Sequence, residues 1–251
     1  MSQLYPGLVS VTFRQLSPEQ IIRLAVQARM QAMEWGGDVH VPPGDLDRAR
    51  AVGDLTREAG LTVAAYGSYY RVGASPDEDF APVLTTARVL GAPLIRVWAG
   101  ARGSQDATDA ERAAVVQDAR RICERAASEG VSIAFEFHGG TLCDSVDATL
   151  GLLSEINHPH LKTLWQPLGE ASPAERRWEV ERLLPHVANV HVYYWPGGKH
   201  TPLAEGKEAW RDCLESLSET DRPLGLLLEF VRDASPEQFL ADALTLQTWL
   251  R

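Results

Sequence analysis

Only three cysteines occur in the 251 residues, Cys123, Cys143 and Cys213, and no two are spaced Cys-x-x-Cys. That spacing offers neither a disulfide framework nor a thiolate zinc site, so three reduced thiols are expected. Long apolar runs are also missing: none approaches the roughly 20 residues needed to cross a bilayer. The opening Met1-Ser2-Gln3-Leu4-Tyr5-Pro6 has no basic stretch leading into an apolar one, and the expectation is a cytoplasmic protein with no membrane partner. Basic residues are outnumbered, 24 Lys and Arg against 34 Asp and Glu for a formal charge of -10. Such a balance repels polyanions and argues against nucleic acid as a partner. No GxGxxG or GxxxxGK[ST] pattern follows any apolar run, which removes the usual phosphate-cradling loops.

What is present is regular alternation. Short apolar or β-branched runs fall at 8–13, 32–35, 61–66, 94–98, 131–137, 161–165, 187–194 and 224–230, each followed by a helical pattern. Four helix starts repeat one signal: Ser17-Pro18-Glu19-Gln20, Ser75-Pro76-Asp77-Glu78, Ser172-Pro173-Ala174-Glu175 and Ser235-Pro236-Glu237-Gln238. Serine at N-cap, proline at N1 and a Glu or Gln at N3 complete a capping box. A further helix is predicted over 109–129, with an apolar stripe through Val116, Cys123 and Ala126 and Gly130 as its stop. The strands are apolar on both faces, as in a parallel sheet covered by helices. Eight such units without a break in composition predict an α/β fold, a single (β/α)₈ barrel over residues 1–251, rather than an open doubly wound sheet.

In such a barrel the active site is built at the strand C-termini, so the polar residues there belong together. Strand 5 ends in Glu136 and His138, strand 6 in Trp165-Gln166-Pro167, strand 7 carries His191 and Tyr193, and strand 8 ends in Glu229. Glu136 and His138 share parity with the small Ser132 and Ala134, and Glu229 with Gly225, which points these side chains into a crowded lumen. A buried carboxylate needs a partner. Two carboxylates, an imidazole and an amide are metal-ligand types, and a mostly oxygen set suits one Mn²⁺, Mg²⁺ or Co²⁺ better than Zn²⁺. The bland alternative is a structural ion pair of the glutamates with arginines such as Arg96 or Arg232.

The chain resembles the xylose isomerase-like (β/α)₈ barrels, a family of sugar isomerases, ketose 3-epimerases, inosose dehydratases and apurinic endonucleases. The resemblance covers nearly the whole chain. It rests on Glu136-Phe137-His138-Gly139-Gly140, on His191 and Glu229, and more loosely on 35–40 and Ile95-Arg96-Val97-Trp98-Ala99-Gly100. It implies a metal held by Glu136, His191 and Glu229, with Gln166 standing where the family usually has an aspartate. It further implies a divalent-metal-dependent isomerase or epimerase of a sugar or small hydroxycarbonyl compound, Glu136 and Glu229 passing a proton through an enediolate.

His138 is expected to touch a substrate oxygen or orient a glutamate. Trp35, Trp98 and Trp165 at strand ends offer faces to a sugar, and His40, Tyr69, Arg71, Tyr193 and Lys199 complete the expected substrate contacts. Relatives commonly form dimers or tetramers, so a homo-oligomer is expected. A dehydratase on the same glutamates, which shares the proton-abstraction step, and a non-catalytic carbohydrate-binding barrel are the alternatives.

Overall fold

The computed structural model describes residues 3–251. Its strands are β1 (Leu4–Val9), β2 (Ala32–Gly36), β3 (Thr62–Val72), β4 (Leu94–Ala99), β5 (Ser132–Glu136), β6 (Leu161–Trp165), β7 (Val187–Val192) and β8 (Leu224–Leu228). The helices between and after them are α1 (Pro18–Gln27), α2 (Leu46–Glu58), α3 (Phe80–Leu90), α4 (Asp109–Ala127), α5 (Val146–Ile156), α6 (Pro173–Leu183), α7 (Lys207–Ser218) and α8 (Pro236–Trp249). Every strand pairs in parallel with its chain neighbour, and β1 pairs β8 to close the barrel. Among the described residues no helix is long and apolar enough to cross a membrane.

The predicted helix starts are borne out at α1 and α6, where Ser17 and Ser172 form reciprocal capping boxes with Gln20 and Glu175. At α8 the Ser235 hydroxyl accepts from Gln238 N. The Ser75 start is not: residues Asp77–Asp79 form a 3₁₀ turn, α3 begins at Phe80, and the Ser75 hydroxyl instead accepts from Arg71 N at 2.9 Å. β1 also lies earlier than the predicted 8–13, because Ser10–Phe13 has coiled into a 3₁₀ turn on the barrel rim.

One face of each strand packs on the helices, where Phe80, Ile122, Phe135, Trp210 and Phe239 are fully enclosed. The other face fills the lumen. Its lower layer is small and apolar, with Ala65, Leu94, Ala134 and Leu164 in one cluster. The lumen is tight enough to require glycine: a Cβ on Gly7 would sit 2.3 Å from Leu227 Cδ2, and one on Gly225 2.7 Å from Asn189 Oδ1. Above this layer the inward positions turn polar, two residues further along the same strands. The three thiols are buried and unpaired, and burial pushes each up to about 12, so none is a nucleophile.

Candidate active site

The polar layer is a chain of charges across the barrel mouth. Glu34 on β2 accepts from Arg96 Nε on β4 at 3.2 Å, and Arg96 Nη1 donates to Glu136 Oε2 on β5 at 2.8 Å. The second Glu34 oxygen, Oε2, lies 3.0 Å from His191 Nε2 on β7. The Glu229 carboxylate, one residue past β8, approaches His191 Nδ1 to 3.3 Å, and Glu136 Oε1 lies 4.0 Å from the same nitrogen. Arg96, Glu34, Glu136, His191 and Glu229 are all buried. Burial by itself pushes Glu34 up, but the adjoining His191 and Arg96 overcome it and hold the carboxyl down at about 2. Burial likewise opposes the charge on Glu136, yet Arg96, His191 and His138 keep it below the ordinary carboxylate range. Desolvation disfavours the His191 imidazolium, and Glu229 and Glu34 outweigh it, raising the ring well above its usual value.

Glu136 is the most heavily bonded carboxylate of the set. Its Oε2 also accepts from Trp98 Nε1 at 2.5 Å, and its Oε1 from Gln166 Nε2 at 3.1 Å. Gln166 donates as well to Phe137 O at 3.1 Å. Among the described residues no three His, Cys, Asp or Glu side chains form a ready cation cage. The donor chemistry suits a divalent cation all the same, once the amide is counted. His191 Nδ1 is buried and makes no well-formed hydrogen bond, its nearest acceptor being Glu229 at 3.3 Å, while among the described residues the Gln166 carbonyl oxygen accepts no hydrogen bond. Three carboxylates face one guanidinium and one imidazole, so the cluster stays negative by one even with His191 protonated. Buried negative charge of that kind is relieved by a cation.

A cavity of about 450 Å³ opens above this layer, with Glu136, Gln166 and Glu229 among its walls. Tyr69, Trp98 and His138 line it, as do Tyr193, Trp195 and Phe230. Trp98 is fixed from behind by the Arg71 guanidinium, 4.3 Å from its ring centre, and meets Tyr69 edge-on at 5.4 Å. Tyr193 donates to Pro167 O at 2.7 Å. His138 Nδ1 lies 2.6 Å from Gly139 O. A carbonyl only accepts, so Nδ1 carries a proton, and whenever the ring is neutral its lone pair is on Nε2.

Five expected substrate contacts fall elsewhere. Trp35 is fully buried and donates to Thr56 Oγ1 at 3.1 Å behind the barrel wall. Trp165 is equally enclosed, donating to Glu179 at 3.2 Å and packing edge-on against Trp210. His40 is buried with Nδ1 2.9 Å from Ser10 Oγ. Each apolar ring near a strand end had two faces to choose from, and these took the helix side. Lys199 is exposed on the β7–α7 loop; its neighbour Gly198, not Lys199, lines the cavity. Arg71 supports Trp98 without lining the cavity. His191 lies beneath the cavity rather than on its wall. Arg96 does pair with Glu136, whereas Arg232 is on the surface beside Asp233.

The residues missed by sequence reasoning are Glu34, Arg14, Arg176 and Phe230. Glu34 carried a usable signal: it is an acid inside an apolar strand, at the same parity as the small Ala32, the pattern that marks Glu136.

Similarity to characterised proteins bears on what this site does. The chain is 30% identical over 246 residues to a 3-dehydroshikimate dehydratase of Bacillus anthracis, covering 86% of this chain and 87% of the relative. In structure it is similar to a probable 3-DHS dehydratase from Bacillus anthracis, with TM-score 0.82, 22% identity and coverage of 97% of this chain and 98% of that one. It is also similar to a D-allulose 3-epimerase from Methylomonas sp., with TM-score 0.76, 16% identity and coverage of 100% and 99%. At those identities the two structures speak to the fold alone. The sequence relative overturns the isomerase or epimerase expectation in favour of its dehydratase alternative, because a shared barrel does not by itself decide which reaction it carries. Residues 22–250 match the family described as xylose isomerase-like TIM barrel, and the chain belongs to that family.

Proposed function

We propose that the protein is a dehydratase that removes water from a small hydroxylated ring ketone bearing a carboxylate, of the 3-dehydroshikimate kind. The observation that carries this is the 30% identity, across 86% of the chain, to a relative with that activity. The cavity is consistent with it: about 450 Å³, with aromatic walls, a half-buried imidazole and a carboxylate-rich floor.

Proton transfer falls to His138. Its Nε2 lone pair is fixed by the Nδ1 bond to Gly139 O, and the ring lines the cavity. It takes the proton from the carbon beside the ketone; the resulting imidazolium gives that proton to the hydroxyl one carbon further on, which leaves as water. The electron pair of the broken C–H bond forms the new C=C, and the ring ends neutral as it began. Glu136 is a poor base by comparison, since Arg96, Trp98 and Gln166 all donate to its carboxylate.

Glu229, His191 and Gln166, with Glu136, would hold one divalent cation. Bound there, it would polarise the ketone and acidify the neighbouring C–H. Trp98 and Tyr69 give the ring a flat surface, and Arg96 keeps Glu136 ionised and in place. The test is to incubate the protein with 3-dehydroshikimate and Mn²⁺ or Mg²⁺ and follow the ultraviolet absorbance of an aromatic product. Product should form, and His138→Asn should lower kcat by on the order of 100-fold or more. No product with any cation, or full activity in His138→Asn, refutes the proposal.

A further inference from the structure

Three arginines line the cavity: Arg14, Arg96 and Arg176. Two are committed. Arg14 pairs with Asp38 at 2.6 Å and donates to Tyr69 Oη at 2.9 Å, and Arg96 is held between Glu34 and Glu136. Arg176, on the first turns of α6, forms no ion pair among the described residues, and its Nε is buried without a hydrogen-bond partner. Two acids lie near it, Glu179, which feels its charge, and Glu170, which shares the cavity wall, but neither closes an ion pair on it. Glu179, one turn on, accepts from Trp165, and Glu170 accepts from Gly197 N at 2.8 Å.

A second donor in the same cavity is also unsatisfied. Trp195 Nε1 is buried without a partner, while its ring is clamped between Tyr193 at 4.5 Å and His200 at 4.4 Å. Leaving a buried donor unmade is costly, so both N–H groups favour an acceptor that enters from solution.

We infer that Arg176, with Trp195 as a second donor, forms the subsite that binds the carboxylate of the substrate and selects acidic over neutral ring compounds. This rests on the dehydratase reading for the rest of the ligand. A guanidinium presents a planar fork that matches a carboxylate and keeps its charge at any working pH. Arg176 is the one cation on the cavity wall with no carboxylate of its own among the described residues, so an acidic ligand gains a full ion pair there without breaking an existing one.

Loss of one water from 3-dehydroshikimate leaves 3,4-dihydroxybenzoate, and catechol is the same ring without the carboxylate. Calorimetric titration of both into the metal-supplemented wild type, Arg176→Gln and Arg176→Lys separates the contributions. The wild type should prefer the acid by tenfold or more; Arg176→Gln should erase that preference with catechol affinity unchanged, and Arg176→Lys should keep part of it. Trp195→Phe should weaken acid binding by a smaller factor. Unchanged preference in Arg176→Gln overturns the subsite, as does a wild type with no preference for the acid. The two proposals fail separately: if 3-dehydroshikimate is turned over but its KM is the same in Arg176→Gln, only the subsite is wrong. If no product forms while the acid preference still depends on Arg176, only the dehydratase reading is wrong.

Discussion

His191 Nε2 and Glu34 Oε2 lie 3.0 Å apart, both fully enclosed, across the mouth of the barrel from β7 to β2. The carboxylate can only accept, so Nε2 carries the proton and Nδ1 is turned toward Glu229 and Glu136. Outer carboxylates that fix a ligating imidazole in this way contribute strongly to metal affinity. Glu34→Gln should therefore weaken Mn²⁺ binding by roughly 10- to 100-fold, read by direct titration of the metal-stripped protein. Equal affinity in the variant would show that His191 is not a ligand.

Arg96 stabilises two buried carboxylates at once. Replacing it with Met leaves Glu34 and Glu136 without their counter-charge, and breaking a buried pair from one side costs about 3–5 kcal/mol. Urea unfolding of Arg96→Met should show a loss of that order. A loss below about 1 kcal/mol, the range of a surface pair, would mean that the two glutamates are satisfied from elsewhere.

The ion pair also depends on a missing side chain. A Cβ at Gly67 on β3 would come within 2.7 Å of Arg96 Nη2 and 2.8 Å of Glu34 Oε1. Gly67→Ala should cost about 1–3 kcal/mol by overpacking. Because it acts on the same guanidinium, its effect combined with Arg96→Met should fall short of the sum of the two. Strict additivity in the double-mutant cycle would place the strain somewhere other than at Arg96.

The cluster predicts an asymmetric pH profile for the metal-free protein. Glu34 is lowered from 4.5 to about 2 on folding, so its contribution is complete above about pH 4.5 and is lost as the pH falls toward 2. A difference of that size corresponds to about 3 kcal/mol. His191 is raised above its usual 6.5; its contribution is present below that value and lost as the pH climbs through the raised one. Stability measured by urea unfolding in chelator should fall steeply on the acid side, and Glu34→Gln should flatten that limb. An acid limb identical in the variant would assign acid unfolding to other carboxylates.

The fold was legible because it repeats. Strand runs apolar on both faces, separated by capped helices, state the (β/α)₈ pattern eight times, so displaced boundaries such as β1 and the Ser75 turn do not alter it. The inward placement of Glu136 and Glu229 was legible too, since a charge at the end of a buried strand is costly unless something answers it.

What answered it was decided by the tertiary structure. Arg96 sits in a strand with the same apolar look as its neighbours, yet closure of the barrel puts it between Glu34, 62 residues away, and Glu136, 40 residues away. Local pattern could not tell Trp98, which faces the cavity, from Trp35 and Trp165, which face helices, because both sides of a parallel strand are buried and an indole suits either. That Arg176 has no ion pair among the described residues was likewise invisible, because whether an arginine is paired depends on how the folded chain places acids around it. Sequence thus determined the barrel and which residues end its strands, through short-range periodicity and capping. The pairing of charges within the mouth was left to barrel closure, which alone sets distances between side chains from strands far apart in the chain.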